Sequence, residues 1–480
     1  MMRLYKIENG AAEILGCPPE DLRRGDYLLV EDGDRALISH VIDITFANVP
    51  GILEDLLRET SSTDIEAEEI DPLNMKSYLN QVRDAQLYIC KIRGTLINGQ
   101  VNPDISWIPS RCSAKISKIS DDKILKLVTS DESMPIDLGS TRSGTEISIS
   151  ATTLDGRLNI VTGKKESGKS NFSKLLTLGL IDHGGKCLIF DVNGEYTKLG
   201  FNRDGTENKY YHKVIVLTPG RNFQTTLAYS GNRVVLNILR TVLDLPETSA
   251  WEFRRMWEGM EKRNQLTLQS LRQSIDAIQN EFIKDALMRR FEGLVNSGLF
   301  TDDGKAATTL EDQFKLIPRG GALVINLREL PQVYKRLVVE FILSKLTYIL
   351  ERWVLRAIFL IAEEAHLYLN DTYWEDIVTR MRHLGIFTTF VTNQPDSIKQ
   401  GIYRQADNVF LFNFTNENDL ETVSKSSKID VETVKILARE LPPHHCIVLG
   451  KATNDFPIVV KVRALNVSAL GETRFFFAAN

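Results

Sequence analysis

Three absences narrow the function classes open to this sequence of 480 residues. No apolar run approaches the roughly 18–20 residues of a membrane-spanning helix, and the longest, such as residues 357–362, have the length of a strand. The five cysteines lie far apart and form no C-x-x-C pair, which argues against a disulfide framework and against a zinc knuckle. Basic residues are not in excess, since 58 Lys and Arg stand against 63 Asp and Glu. We therefore predict a soluble cytoplasmic protein with no membrane partner and without an overall basic surface, although a basic lining confined to a channel would not show in this sum.

The composition is that of an ordinary globular chain, with 43% hydrophobic and 25% charged residues. At roughly 100–200 residues per domain, the length predicts two to four domains. The first 150 residues are rich in strand-like runs, and the Asp32-Gly33 turn between two of them is a strong hairpin pattern. Strands separated by turns at this spacing predict a small β-barrel.

The pattern changes near residue 151, where short apolar strands begin to alternate with helical stretches. This alternation predicts an α/β fold around a mainly parallel sheet that is covered on both faces. Residues 246–300 interrupt the alternation with a helical block. We predict a barrel, an α/β core in two parts around a helical insertion, and a tail, with these bounds: 1–150, 151–245, 246–300, 301–465 and 466–480.

Apolar residues of the helical block recur at helical spacing, which predicts a packed core: Trp251, Phe253, Met256, Trp257 and Met260. For two other segments the sequence leaves two interpretations open. Residues 54–71 carry eight acidic residues against one Arg, and form either a solvated segment or a docking face for a basic partner. The aromatic residues near the end of the chain dock either on their own domain or on a neighbouring subunit.

A phosphate-binding loop is the most specific motif in the chain. Residues 163–170 match G-x-x-x-x-G-K-[ST] in full, between a predicted strand and an amphipathic helix, which is the context that the motif requires. Glycines let backbone N–H groups turn toward phosphate oxygens, and the helix N-terminus adds partial positive charge. We predict that Lys169 reaches the β- and γ-phosphates of ATP and that the Ser170 hydroxyl binds Mg²⁺. The predicted ATP contacts are Gly163, Glu166, Ser167, Gly168, Lys169, Ser170 and Asn171.

Acidic residues follow two of the apolar strands. Glu363 and Glu364 end the strand at 357–362, where open α/β sheets bind their ligands. We predict that Glu363 holds the Mg²⁺ shell through water and that Glu364 acts as the general base on the attacking water. Asp191 and Glu195 follow the strand after the P-loop helix. Asp191 either joins the metal shell or orients water, and a turn or helix cap is the alternative for both.

Two further polar residues complete the predicted site. Gln394 ends the strand expected beside that of Glu364, so its amide is placed to sense the γ-phosphate or the catalytic water. Arg380 and Arg382 precede that strand, and an Arg supplied to a neighbouring subunit would neutralise charge on the transferred phosphoryl group. Surface arginines are the alternative interpretation.

These motifs together resemble the HerA branch of the HerA–FtsK ATPases, which are hexameric, RecA-like, DNA-translocating motors. The resemblance rests on the order of a small barrel, the P-loop, the segment Asp191-Val-Asn-Gly-Glu-Tyr196, a helical insertion, Glu363-Glu364-Ala-His366, and Asn393-Gln394-Pro395. It implies a RecA-like core with an N-terminal barrel of the HAS type, Glu364 as catalytic acid, Asp191 as a second acidic site residue, Gln394 as sensor and Arg382 as inter-subunit finger. It also implies a homohexamer on double-stranded DNA, with a nuclease of the NurA type or a defence effector subunit docked on the barrel.

The chain departs from that family's pattern at three points. The P-loop interior is Lys164-Lys165-Glu166 where small residues are usual, Glu363 stands in place of an Asp, and no Arg separates Gln394 from Pro395. We expect the first departure to affect nucleotide affinity or selectivity, the second to slow turnover and the third to alter sensor coupling.

DNA contacts are predicted in residues 198–213, where cations and aromatics are mixed after the Asp191 segment. Arg203, Lys209 and Lys213 would contact phosphates without sequence preference, at the sheet edge that holds the nucleotide. The alternative is an exposed hairpin turn at Asp204-Gly205, and residues 367–374 are a second candidate. Two rival functions remain: a ring-shaped scaffold that gates an effector with little translocation, and a secretion or conjugation ATPase.

Overall fold

The computed structural model describes residues 2–16, 21–47, 84–129, 133–368, 382–414, 416–424 and 431–468. The acidic segment 54–71, Arg380 and most of the predicted tail lie outside these residues. The described chain forms two sheets, of seven and eleven strands.

The first sheet is antiparallel and has the order β1-β2-β5-β4-β3-β7, with β6 paired to β5. The predicted hairpin is present, since Asp32 pairs with Arg35 and Gly33 takes a positive φ of 67° in the turn. Within the described residues no pairing joins β1 to β7, so the sheet is a half-barrel and the closed barrel stays a prediction. The strands are β1 Met2–Glu8, β2 Ala11–Gly16, β3 Tyr27–Asp32, β4 Arg35–Phe46, β5 Gln86–Ile97, β6 Gln100–Asn102 and β7 Lys115–Lys118.

The second sheet confirms the predicted α/β fold with a mainly parallel core. Its order is β12-β13-β11-β14-β15-β10-β16-β17-β18-β8-β9, and the pairs from β12 to β16 are all parallel. The strands are β8 Pro135–Ser140, β9 Glu146–Ser150, β10 Asn159–Thr162, β11 Lys186–Asp191, β12 Val214–Leu217, β13 Gly321–Asn326, β14 Ile358–Ala362, β15 Ile386–Thr392, β16 Asn408–Leu411, β17 His445–Gly450 and β18 Ile458–Val462.

Strands β8 and β9 extend this second sheet from the N-terminal part of the chain. They lie within the range 1–150 that the sequence assigned to the barrel, but β8 pairs with β18 through Gly139 and Ser140. The large sheet therefore includes residues on both sides of the predicted boundary at 150.

Helices cover both faces of the large sheet, because alternate residues of its strands point into two different cores. In β11, Leu188 and Phe190 pack with the helical block and the long helix α9, whereas Cys187 and Ile189 pack with the helix after the P-loop. The helices are α1 Asp121–Val128, α2 Lys169–Asp182, α3 Leu227–Ser230, α4 Asn232–Thr241, α5 Glu247–Lys262, α6 Leu268–Asp276, α7 Glu281–Asn296, α8 Leu310–Leu316, α9 Gln332–Glu351, α10 Gln400–Arg404, α11 Glu417–Ser424 and α12 Val431–Arg439.

The helical block is packed largely as predicted. Phe253, Trp257 and Met260 of α5 are buried and Met256 is partly buried against the same core. The prediction for Trp251 was wrong, because its side chain is 63% exposed and lies beside the Arg255 guanidinium. At about 100° per residue Trp251 lies roughly 120° around the helix from Trp257, outside the buried stripe.

Helix α12 connects the two sheets. The Arg93 guanidinium of β5 donates to Thr433 Oγ1 at 2.9 Å, and Lys91 Nζ lies 3.4 Å from Glu432 Oε2. At the other end of the helix, Arg24 forms an ion pair with Glu440. The half-barrel is therefore attached along the length of α12.

Parallel pairing from β12 to β16 gives the large sheet two distinct edges. All of these strands end at one edge, here called the carboxyl edge, and start at the other, the amino edge. The strand order places the ends of β11, β14, β15 and β10 side by side at the carboxyl edge. No helix of the described residues is both long and apolar enough to cross a membrane.

Candidate nucleotide site

The P-loop joins β10 to α2 at the carboxyl edge and is held by its own contacts. Gly168, just before α2, has a φ of 111°, which a residue with a side chain rarely adopts. A Cβ on Gly163 would lie 2.4 Å from Phe412 Cβ, so only glycine fits there. The Lys164 backbone N–H donates to the Asn413 carbonyl at 2.8 Å, which ties the loop to the chain that follows β16.

Lys169 lies inside the loop. Its side-chain ammonium donates to the Lys164 carbonyl at 2.7 Å, closing the loop on itself. Burial lowers the pKa of Lys169 to about 8, against the opposing effect of Glu364 and Glu363. Among the described residues no carboxylate forms an ion pair with this buried cation, and a phosphate group would supply that partner.

The loop fits a phosphate ligand in two further respects. The Ser167 hydroxyl is buried and has no hydrogen-bond partner within the described residues. The loop leads directly into the N-terminus of α2, a helix of 14 residues whose first N–H groups lack intrahelical partners. Ser170, in the first turn of α2, carries the hydroxyl that would hold Mg²⁺, and the Asn171 amide donates instead to the Arg463 carbonyl at 3.0 Å.

Glu363 and Glu364 follow β14 at the same edge but have different surroundings. Glu363 is 3% exposed, and the Tyr196 hydroxyl donates to its Oε1 at 2.6 Å. Burial raises the pKa of Glu363 to about 8, with Glu195 adding to the effect and the Tyr196 hydrogen bond opposing it. This carboxyl group is held by the protein interior.

Glu364 is more accessible. It takes a left-handed backbone conformation at a φ of 47°, which is uncommon for a residue with a side chain. Its Oε2 lies 3.3 Å from His366 Nδ1 but makes no well-formed hydrogen bond within the described residues. Burial lowers the pKa of His366, so the ring is neutral at neutral pH. A carboxylate oxygen without a firm partner is what proton acceptance from water requires.

Asp191 ends β11 and shapes the turn that follows it. Its two carboxylate oxygens accept the backbone N–H groups of Glu195 at 2.9 Å and Tyr196 at 2.8 Å. Burial raises the pKa of Asp191, and these hydrogen bonds oppose the rise. The geometry is that of the cap, which was the alternative interpretation of this residue.

The end of β15 contributes Asn393 and Gln394 beside the P-loop. The exposed Gln394 has its backbone held by Thr392, whose Oγ1 accepts the Gln394 N–H at 3.0 Å. Asn393 Oδ1 is buried without a hydrogen-bond partner in the described part of the chain. A pocket of about 260 Å³ opens here, lined by Lys164, Lys165, Asn393, Gln394, Phe414, Asn416 and Asp419.

Arg382 lies at the amino edge, away from the P-loop of its own chain. It forms an ion pair with Asp407 and donates to the Gln405 carbonyl at 3.0 Å, both just before β16. Strand β15 has seven residues, so roughly 23 Å of strand separates Arg382 from Gln394.

The predicted DNA-contacting residues do not meet at the nucleotide. Lys209 forms an ion pair of 2.9 Å with Asp182, the last residue of α2, and Lys213 precedes β12 directly. Both therefore lie toward the amino edge, so the expectation that they share the edge of the P-loop was wrong. Arg203 is exposed in the turn around Asp204-Gly205, as the alternative interpretation described. The other DNA candidate, 367–374, lies mostly outside the described residues.

Three residues to which the sequence analysis gave no role of their own connect the site elements: Ser173, Lys174 and Tyr196. Ser173 and Lys174 extend from α2, one turn beyond Ser170, and contact the segment after β11. Ser173 Oγ lies 2.6 Å from Tyr196 Oη, and Lys174 Nζ lies 3.2 Å from Glu195 Oε2. The sequence did offer one indication of these contacts, since Tyr196 is the last residue of the D-x-x-G-E-Y pattern.

Comparison with known proteins agrees with this arrangement. Residues 136–346 match the family described as "Helicase HerA, central domain". The protein named DNA double-strand break repair helicase HerA of Saccharolobus solfataricus is 24% identical over 328 residues, which cover 64% of this chain. That match spans 64% of the relative's own length, just under two thirds. The HerA helicase of Sulfurisphaera tokodaii is 25% identical over 468 residues, covering 92% of this chain and 88% of the relative.

Solved structures share the fold of the core. VirB4 of Thermoanaerobacter pseudethanolicus superposes with a TM-score of 0.53 at 16% identity, covering 70% of this chain and 98% of that one. The plasmid coupling protein TrwB in complex with the ATP analogue ADPNP gives a TM-score of 0.52 at 15% identity, over 73% of this chain and 94% of that one. At these identities the likeness concerns the fold alone. Taken with the P-loop and the two acids at the carboxyl edge, these matches support membership of the chain in the HerA family of P-loop ATPases.

Proposed function

We propose that this protein is a Mg²⁺- and ATP-dependent translocase or helicase that acts on double-stranded DNA as a homohexameric ring. The observation that carries the proposal is the meeting of the P-loop with Glu363 and Glu364 at one edge of the sheet. The relatives are named as DNA repair helicases, which supports DNA as the substrate. The ATP contacts would be the predicted P-loop residues 163 and 166–171.

In this mechanism each site residue has one role. Lys169 would release the Lys164 carbonyl and neutralise the β- and γ-phosphates of ATP. Glu364 would accept the proton of the attacking water, and Gln394 would report the presence of the γ-phosphate. Mg²⁺, held by Ser170 and indirectly by Glu363, would screen the phosphate charge when bound. Asp191 would act indirectly, by fixing the turn after β11 that it caps.

A neighbouring subunit would complete the site. Because Arg382 lies roughly one strand length from its own P-loop, it serves the transferred phosphoryl group only if it is supplied to another chain. A ring in which each subunit offers Arg382 to the next meets this requirement.

The DNA and protein partners follow from the same proposal. Arg203, Lys209 and Lys213 would contact the duplex backbone, and the N-terminal half-barrel, closed in the ring, would bind a nuclease of the NurA type or a defence effector. Within the described residues Arg203 and Lys213 have no ion pair with a carboxylate, so their charges are available to phosphates.

Phosphate release from ATP with and without linear duplex DNA tests the proposal, with Lys169→Ala as the blank. We expect several-fold stimulation by duplex that weakens as salt rises. Hydrolysis that is absent from the blank but indifferent to DNA at low salt would contradict translocation.

An ATP-dependent scaffold is the second candidate. The charged P-loop interior, Lys164-Lys165-Glu166, and the burial of Glu363 favour slow turnover. In this case ATP would assemble the ring and gate an effector. Ring formation that needs ATP binding, together with DNA-independent hydrolysis, would favour the scaffold over the motor.

A further inference from the structure

The segment after β11 contacts both functional elements of the nucleotide site. The Tyr196 hydroxyl bridges Ser173 Oγ of α2 at 2.6 Å and Glu363 Oε1 after β14 at 2.6 Å. The residue is fully buried, as are Ser173 and Asp191. Every part of this bridge is therefore inside the protein and shielded from competing water.

We propose that Tyr196 is a positioning residue for ATP hydrolysis, which fixes the Glu363 carboxyl relative to the helix that carries Lys169 and Ser170. The inference rests on the proposed hydrolysis of ATP. It assigns a role to a residue outside the P-loop and outside the pair of acids.

The direction of the hydrogen bonds supports this role. A phenol carries its proton at neutral pH, and the Tyr196 hydroxyl donates it in a hydrogen bond to Glu363 Oε1. Its oxygen is then left to accept from the Ser173 hydroxyl. The tyrosine thus has a partner on each side, and neither contact can be replaced by water at a buried position.

The backbone of Tyr196, from which this bridging side chain extends, is also held in place. Asp191 accepts the Tyr196 backbone N–H at 2.8 Å, and the ion pair of the buried Lys174 with the partly buried Glu195 holds the neighbouring residue to α2. A tyrosine side chain has only two flexible torsions. With its backbone capped, the hydroxyl position is determined by the fold.

The length of Glu363 is matched to this contact. Shortening the side chain to Asp withdraws the carboxyl by about 1.5 Å, one C–C bond, which exceeds the reach of a hydrogen bond that starts at 2.6 Å. Glu363→Asp therefore removes the same contact as Tyr196→Phe while keeping an acid at the position.

The test is a double-mutant cycle with Tyr196→Phe, Glu363→Asp and the double variant, in two measurements. The first is the kcat and KM of ATP hydrolysis. We expect Tyr196→Phe to lower kcat about tenfold, as loss of an outer-shell hydrogen bond typically does, with KM for ATP changed less than about twofold. In the Glu363→Asp background the same substitution should have almost no further effect on kcat.

The second measurement is the thermal unfolding midpoint of the nucleotide-free protein. Tyr196→Phe should lower it by roughly 2–4 °C in the wild-type background and by less in the Glu363→Asp background, where only the contact with Ser173 is left to lose. Tyr27→Phe is the matched control, because the buried Tyr27 hydroxyl of β3 donates at 2.8 Å to the carbonyl of Pro457, just before β18. Tyr27→Phe should lower the unfolding midpoint by a similar amount and leave kcat unchanged.

Equal effects of Tyr196→Phe in both backgrounds would overturn the inference, as would a kcat loss in Tyr27→Phe of the same size. If the wild-type protein hydrolyses no ATP, the proposed function fails. The unfolding cycle then decides by itself whether Tyr196 positions Glu363, since it requires no nucleotide.

Discussion

The two edges of the large sheet differ in how their charges are compensated. At the carboxyl edge the Ser167 hydroxyl, Asn393 Oδ1 and Glu364 Oε2 are buried without hydrogen-bond partners within the described residues. At the amino edge Arg382 and Lys209 are neutralised locally, in ion pairs with Asp407 and Asp182 respectively. Unsatisfied polar atoms are costly unless a ligand uses them, so the carboxyl edge is built for chemistry. These two cations are satisfied without a ligand, and they must exchange partners before they serve another molecule.

Removing the general base from the carboxyl edge should have the largest effect. We expect Glu364→Gln to lower kcat by about 100-fold or more, because an amide cannot take a proton from water. Binding of a fluorescent ATP analogue should persist, since Lys169 and the P-loop are untouched. Loss of binding together with hydrolysis would instead place Glu364 in nucleotide binding.

Arg382 tests whether the amino edge of one chain serves the carboxyl edge of the next. Arg382→Ala should lower kcat at least about tenfold, since guanidinium charge on the transferred group is lost. Asp407→Asn is the matched control that removes its local partner, and should leave most of the activity.

Mixing inactive subunits separates action on a neighbour from action within one chain. Rings mixed from Arg382→Ala and Glu364→Gln subunits contain interfaces where an intact Glu364 meets an intact Arg382. We expect partial recovery of hydrolysis on mixing. No recovery at any ratio, in rings shown to have mixed, would mean that Arg382 acts within its own chain.

The three predicted DNA-contacting cations should differ according to their present partners. Arg203→Ala and Lys213→Ala should each weaken duplex binding a few-fold and reduce the slope of log affinity against log salt by about 0.9 per lost phosphate contact. Lys209→Ala should have a smaller effect, because its charge is already paired with Asp182. Binding at several salt concentrations measures both quantities, and an unchanged slope in all three variants would place the DNA elsewhere.

His40 lies outside both edges and provides a reference for stability without nucleotide. Burial holds the pKa of His40 well below its usual value, with Arg93 adding to the effect, so the folded state does not bind the proton that the unfolded state takes up near pH 6.5. The free energy of unfolding should therefore fall as pH decreases below about 6.5, by up to about 1.4 kcal/mol per pH unit from this group.

Urea unfolding at pH 7.5 and 5.5 measures that contribution. The loss between the two pH values should be smaller in His40→Gln than in the wild type, whereas the exposed His212→Gln should behave as the wild type does. Equal losses in all three proteins would exclude His40 as the source.

The parts of the site that could be predicted from the sequence are those formed by contiguous residues. The P-loop needs only a strand, a glycine-containing loop and a helix in succession, and the two acids need only the end of an apolar strand. The α/β fold followed from the alternation of elements for the same reason. The roles of the individual site residues remain predictions.

Contacts between residues that are far apart in the sequence could not be predicted in this way. Tyr196 and Glu363 are separated by 167 positions, and no local pattern indicates that they meet. The loop after β11 starts at the carboxyl edge and ends at the amino edge, so the sequence does not tell where along it Lys209 lies. Trp251 was misplaced because apolar character alone does not decide which side of a helix faces the core.

The contacts of Asn413 give the P-loop a mechanical attachment outside the nucleotide site. Its carbonyl accepts the Lys164 N–H, while its side-chain amide donates to the carbonyls of Arg439 and Leu441 at the end of α12. Helix α12 has nine residues and is about 13 Å long, and its first turn is bonded to Arg93 of the half-barrel. The helix thus connects the phosphate loop to the N-terminal sheet. A change in the backbone geometry of the loop would therefore be transmitted directly to this helix.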